Sequence, residues 1–136
     1  MTDCIFCKIA EGKIPAAKVY EDKKTLAFLD ILPANKGHCL VIPRAHSQNL
    51  VDMPDEDLIA VMKTAKKVAK AMSLSFGNAS FNIVMNNGKE AGQVVFHAHI
   101  HLIPRFQKDR LRIKWSHLRY EGDEMKQYAD NIKKFI

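Results

Sequence analysis

The 136-residue sequence predicts an α+β domain built on a small antiparallel sheet. Three observations point there: strand-like runs are joined by short connections, one long stretch carries a helical apolar period, and the helices are too few to cover both faces of a parallel sheet. Five strands in a meander are expected, with one main helix and short helices near the two ends. Nothing repeats, and no Gly/Ser-rich or Pro-rich linker divides the chain, so residues 1–136 are read as a single domain.

Taken in order, Cys4-Ile5-Phe6-Cys7-Lys8-Ile9-Ala10 forms a short helix that stops near Gly12 and cannot continue through Pro15. Lys18-Val19-Tyr20-Glu21 and Thr25-Leu26-Ala27-Phe28-Leu29-Asp30 are strands flanking the turn Asp22-Lys23-Lys24. His38-Cys39-Leu40-Val41-Ile42 is a third, after the Pro33-to-Gly37 loop. From Pro54 to Met72, Leu58, Val61, Met62, Ala65, Val68, Ala69 and Met72 recur at steps of three and four, the spacing of one helical face. Pro54 suits the first turn, Asp55, Glu56 and Asp57 favour its positive end, and Phe76-Gly77-Asn78 ends it. Ser80 to Met85 and Val94 to Ile103 are strands joined by a loop from Asn86 to Gln93 that holds Gly88 and Gly92. A last helix from Met125 to Ile136 puts Tyr128, Ile132 and Phe135 on one face.

Hydrophobic residues at 47% and charged residues at 26% give an ordinary globular balance, which excludes disordered and fibrous classes. No run approaches the roughly 18 apolar residues of a membrane span, and Met1-Thr2-Asp3-Cys4 lacks the layout of a secretory signal. Three unevenly spaced cysteines do not make a secreted disulfide scaffold, so a reducing compartment, the cytoplasm, is expected, without membrane association. The net charge of +6 attracts phosphate-bearing partners of any kind and names none of them.

The chemistry concentrates in Phe96-His97-Ala98-His99-Ile100-His101-Leu102-Ile103. On an extended strand His97, His99 and His101 share one face while Phe96, Ala98, Ile100 and Leu102 face the core. Three adjacent imidazoles compete for space and hydrogen bonds, which points to metal or phosphate rather than packing. His97 and His101 lie about 13 Å apart along such a strand, too far to share one ion. One end of the row can serve a metal while the middle and far imidazoles face a substrate. Cys4-x-x-Cys7 offers two soft ligands, and a tetrahedral zinc needs two more; His46 and His97 are the candidates to complete a Cys₂His₂ site. A thiol pair packed with Ile5, Phe6 and Ile9 is the alternative. Cys39 reads as a buried strand residue. A histidine in the middle of the row can also act as a nucleophile on phosphorus, with donors from a second imidazole and a Gly-containing turn.

These residues resemble the histidine-triad (HIT) family, whose name describes the His-φ-His-φ-His-φ-φ pattern with φ apolar. Ile5-Phe6-Cys7-Lys8-Ile9, Ile14-Pro15, Ala27-Phe28-Leu29-Asp30-Ile31, the segment from Gly37 to His46, and Asn86 with Gly92-Gln93 are similar to family landmarks in family order. The resemblance covers about residues 4–105 and leaves 106–136 as a basic C-terminal extension.

The resemblance implies a homodimer with a continuous central sheet, and hydrolysis or transfer at the α-phosphate of purine nucleoside phosphoramidates or related nucleotidyl conjugates through a covalent nucleotidyl-histidine, with dinucleoside polyphosphate hydrolysis as the alternative. His99 matches the nucleophile, and His101 and His38 the flanking imidazoles. Asn86, Gln93 and the amides near Gly92 and Val94 match the phosphate loop. Asp30 matches the ribose-binding carboxylate, and Ile5, Phe6, Phe28, Leu29 and Ile31 the base pocket. In members with the N-terminal Cys-x-x-Cys, the resemblance implies a structural Zn²⁺ on Cys4, Cys7, His46 and His97. Val94 stands where the phosphoramidase branch has serine, and Leu102-Ile103-Pro104-Arg105 looks more like bacterial members and the dinucleoside polyphosphate hydrolase branch. A non-catalytic nucleotide-binding module is a further alternative, against which the intact His99 counts. From Arg105 to Arg119 the chain carries six basic residues against Asp109, with Trp115 and His117 among them. A solvated surface is preferred there to a phosphate-gripping lid, and nucleic acid is not expected as a partner because no recognition fold is present.

Overall fold

The computed structural model describes residues 3–78 and 80–136. The elements run α1 (Ile5–Ala10), β1 (Lys18–Glu21), β2 (Thr25–Leu29), β3 (Cys39–Pro43), α2 (Asp55–Phe76), β4 (Phe81–Val84), β5 (Ile100–Pro104) and α3 (Glu124–Lys133). The five strands form one antiparallel sheet in the order β1-β2-β3-β5-β4, the α+β arrangement expected. The order departs from a plain meander at its end. α2 carries the chain past the neighbouring position, so that β4 becomes the edge strand and β5 returns between β4 and β3.

The sheet is covered on both faces. Val61, Ala65, Val68, Ala69 and Met72 of α2 pack on Ala27, Cys39, Val41, Ile100 and Leu102. On the opposite face Phe6 and Ile9 of α1 pack on Leu26, Phe28, Leu40 and Ile42. β3 therefore has no solvated side, which is why Cys39-Leu40-Val41-Ile42-Pro43 is buried throughout. Thr25 and Thr64 join β2 to α2 through buried hydroxyls 2.7 Å apart. α2 ends at Gly77, whose φ of 63° is the left-handed conformation that turns the chain so that the Asn78 N–H also reaches the Ser73 carbonyl, at 3.1 Å.

The expected strand from Val94 to Ile103 is shorter and begins only at Ile100, so His97 and His99 lie ahead of β5. The register that pairs Val41 with Ile100 would bring Pro43 opposite Ala98, and proline has no N–H with which to continue the ladder. The Ala98 N–H bonds instead to the Ser47 carbonyl at 2.7 Å, and the chain bends at 95–97. Phe96, expected in the core, is 46% exposed as a result. Beyond Pro104 the chain has no helix or strand until α3, and α3 buries none of its residues.

Candidate active site

A cavity of about 450 Å³ opens between α1, the turn after β2, the Asn86-to-Val95 segment and the histidine row. Its apolar wall includes Ile5, Phe6, Phe28, Leu29 and Ile31, and its polar end is formed by Asp30, Asn86, His99 and His101, with Gly92 and Val94 at the rim. Ile9, Ile14, Ala16, Leu40 and Val95 also line the wall without having been singled out as site residues. The signal was available: the same residues form the apolar cluster that α1 makes with the sheet.

Hydrogen bonds assign a proton to each imidazole. A carbonyl oxygen can only accept, so the 2.7 Å contact from His99 Nδ1 to the His97 carbonyl puts the proton on Nδ1 and leaves the Nε2 lone pair uncommitted. The Ala34 N–H donates to His38 Nδ1 at 3.0 Å, so neutral His38 carries its proton on Nε2 and donates it to His101 Nδ1 at 2.9 Å. His101 is left with an Nε2–H. The rings of His99 and His101 are 4.8 Å apart, which places one lone pair and one donor side by side at the polar end of the cavity.

Burial holds all three imidazoles below the ordinary histidine range. His101 is brought down to about 4, and His38 and His99 are lowered in the same direction, so all are neutral at pH 7. Asp30 accepts the Leu32 N–H at 2.9 Å through Oδ1, and its Oδ2 lies 3.8 Å from His38 Nε2. Asp30, His38 and His101 are close enough to hold a cation, but the two imidazoles already bond to each other.

The loop residues divide. Gly92 has φ +90°, a conformation that disfavours a side chain, and its N–H is engaged by the Lys89 carbonyl at 2.9 Å. Gln93 is buried and does not line the cavity. Its Nε2 donates to the Gln48 and Val95 carbonyls, and its Oε1 accepts from the Gly88 N–H, so it braces the loop from within. His38 likewise stands behind His101 rather than in the cavity wall.

The other end of the histidine row joins α1. Ligand atoms of Cys4, Cys7, His46 and His97 all lie within 4.8 Å of one another. Cys4 Sγ and Cys7 Sγ are 3.4 and 3.5 Å from His97 Nδ1, and Cys7 Sγ is 3.4 Å from His46 Nδ1. A tetrahedral ion with Zn–S of about 2.3 Å and Zn–N of about 2.0 Å needs S···N edges of about 3.5 Å, so this donor set fits one. His97 Nε2 donates to the Pro43 carbonyl at 2.8 Å, which turns the Nδ1 lone pair toward the sulfurs. Burial, then the neighbouring Cys4, pushes the Cys7 thiol up to about 11, a cost that a bound cation reverses. Phe6 ties the cluster to the cavity: its ring lies edge-on 5.9 Å from His97 and 5.1 Å from His99.

A family model described as HIT domain matches residues 11–108. The chain belongs to the HIT family. Adenosine 5'-monophosphoramidase HNT1 of Saccharomyces cerevisiae is 49% identical over 113 residues, 82% of this chain and 69% of that protein. The crystal structure of a HIT family member from Bacillus subtilis superposes with a TM-score of 0.92 at 42% identity, covering 98% of this chain and 97% of the other. A Zn-bound histidine triad family protein from Mycobacterium smegmatis gives 0.78 at 34% identity, covering 99% of each chain. Within this HIT chain the matched stretch holds all five site histidines. Cys4 and Cys7 precede it, and it takes in Arg105 and Lys108 while the rest of the basic segment follows it. Among the basic residues Arg105 is already paired, with Asp109 at 2.9 Å, while Trp115 is 74% exposed. No helix among the described residues is long and apolar enough to cross a membrane.

Proposed function

We propose that this HIT protein cleaves purine nucleoside phosphoramidates at the α-phosphate through a nucleotidyl-histidine intermediate on His99. The observation that carries the reading is the Nδ1 contact of His99 with the His97 carbonyl, which leaves Nε2 as a neutral nucleophile facing the cavity. A hydrolase of nucleotide conjugates is also what the relationship to the yeast phosphoramidase supports.

The base occupies the apolar wall, Asp30 accepts hydrogen bonds from the ribose hydroxyls, and His101 Nε2–H donates to a phosphate oxygen. The His99 Nε2 lone pair attacks phosphorus and the P–N bond breaks. The leaving amine departs with a proton taken from water, because Val94 offers no hydroxyl at the open rim. The phosphorylated imidazole is cationic, and the His97 carbonyl stabilises its Nδ1–H. Water then attacks phosphorus, the P–Nε2 bond breaks, and the nucleoside monophosphate leaves with His99 neutral again and one proton released to solvent.

Cys4, Cys7, His46 and His97 are proposed to hold a zinc ion, whose contribution is structural: it ties α1, and with it the base wall, to the histidine row. The chain is further proposed to be a homodimer, which would give the apolar face of α3, with Tyr128 and Ile132 both more than half exposed, a surface to cover.

The direct test is release of AMP from adenosine 5'-phosphoramidate and from diadenosine polyphosphates by wild type and His99→Ala. Release by wild type and its loss in the variant support the reading, and preference for the phosphoramidate fixes the leaving group. Equal release by both proteins would refute it.

A further inference from the structure

His38 and His101 sit on neighbouring elements. The β3–β5 register pairs Leu40 with His101, so His38 would stand two residues further along, opposite Ile103, and the imidazoles meet diagonally on one face. That ladder ends at Cys39 and Leu102, just short of His38. The donor that fixes the His38 tautomer, the Ala34 N–H, belongs to the turn from Pro33 to Gly37, outside the sheet.

One side chain fastens that turn to β5. Asn35 Nδ2 donates to the Pro104 carbonyl at 2.9 Å and to Asp109 Oδ2 at 3.0 Å, while the Asn35 carbonyl accepts the His38 N–H at 3.0 Å. Asp109 is itself fixed. Its side chain is 6% exposed, its carboxylate takes two bonds from Arg105, at 2.9 and 3.0 Å, and Oδ2 also accepts the Phe106 N–H at 2.9 Å. Arg105 reaches on to Asn82 Oδ1 on β4. Asn35 therefore joins the element that sets the proton on His38 to the end of the strand that carries His101, and neither Asn35 nor Asp109 lines the cavity.

We propose that Asn35, anchored by Asp109, is a positioning residue for the His38–His101 pair. It holds the Ala34 N–H against His38 Nδ1, which directs the His38 Nε2–H onto His101 Nδ1 and so keeps a donor, not a lone pair, on the cavity side of His101. Without it the turn shifts, His38 gains access to its other tautomer, and His101 loses the fixed orientation of its Nε2–H. Asp30 is held by bonds of its own, from its N–H to the His38 carbonyl and from the Leu32 N–H to Oδ1, both 2.9 Å, so binding is expected to change less than turnover.

The inference rests on the hydrolase reading for its kinetic arm and stands apart from it for its spectroscopic arm. Histidine-selective ¹⁵N–¹H correlation spectra of wild type and Asn35→Ala, recorded without substrate, report the tautomers of His38 and His101. Wild type is expected to show Nε2–H for both, and the variant a mixture at one or both. With adenosine 5'-phosphoramidate, kcat of the variant is expected to fall about tenfold to a hundredfold with KM within about threefold. If Asn35→Ala does not fold, Asn35→Leu, close to asparagine in shape but with no donor for the Pro104 carbonyl or Asp109, carries the same readouts. A folded variant with both tautomers unchanged and kcat within about twofold of wild type would overturn the proposal and leave the ladder alone to fix the pair. Wild-type His38 protonated on Nδ1 would overturn it as well. A wild type that shows the expected tautomers but releases no AMP would remove the hydrolase reading and spare the positioning one.

Discussion

His97 and His99 stand two residues apart in one motif, both are buried, and they present opposite nitrogens. His97 donates from Nε2 to the Pro43 carbonyl and offers Nδ1 to the cysteine sulfurs, while His99 donates from Nδ1 to the His97 carbonyl and offers Nε2 to the cavity. The side chains are chemically identical, and a single backbone acceptor beside each decides which lone pair is displayed. In the proposed function a metal ligand and a nucleophile would thereby be made from the same residue type two positions apart.

The comparison breaks most visibly if the two residues are exchanged for alanine. His99→Ala is expected to lower turnover about a thousandfold or more while leaving metal content and the thermal midpoint near wild type, because it removes a reacting atom from the wall of a formed cavity. His97→Ala should abolish metal binding and lower the thermal midpoint. Metal analysis and scanning calorimetry on the pair check this, and variants with matching profiles would erase the distinction.

Next in size is the ligand pair. Replacing Cys4 and Cys7 by serine is expected to empty the cluster and lower the thermal midpoint by about 10 °C, with turnover at a permissive temperature reduced less than tenfold. An inactive variant of unchanged stability would reverse the structural assignment of the metal. Asp30→Asn is expected to weaken AMP affinity about tenfold, measured by calorimetry, and to leave a 2',3'-dideoxy analogue unaffected.

The smallest effect sharpens the electrostatic half of the comparison. Burial brings His101 to about 4, so its neutral form, with Nδ1 accepting from His38, persists on the acid side of the ordinary histidine range. The His101 tautomer, read from histidine-selective ¹⁵N–¹H spectra, is expected to hold from pH 7 to 5.5, where a surface histidine would already have titrated. Because the folded value lies below the unfolded one, the unfolded chain binds the extra proton first. The stability His101 contributes is complete above about pH 6.5 and is lost as pH falls toward 4, so the thermal midpoint should decline across that window.

Much of this was legible in the sequence. The alternation of histidines with apolar residues announced a shared face, and Cys4-x-x-Cys7 with His46 and His97 as candidates marked a soft tetrahedral site, whose set of four the family resemblance implied. The α2 period and its acidic first turn marked the main helix, and Gly77 its end. The strand was overextended because alternation continues through residues that a proline 55 positions away from Ala98 leaves without a partner. The tautomers were illegible for a related reason: they depend on which carbonyl lies beside a ring, and the Pro43 carbonyl is 54 residues from His97. Gln93 and Asp109 could not be placed either, since a polar side chain that braces a loop and one that faces a substrate read alike until the fold shows which way each is turned.

In the proposed mechanism His99 Nε2, and no other nitrogen of the row, bonds to phosphorus. The most direct measurement is to quench a single turnover of adenosine 5'-phosphoramidate in base and locate the adduct by peptide mass spectrometry. An adenylyl group on His99, absent in His99→Ala, is the predicted result; an adduct on His101 or His97, or AMP release from the His99→Ala protein at the wild-type rate, would contradict the account.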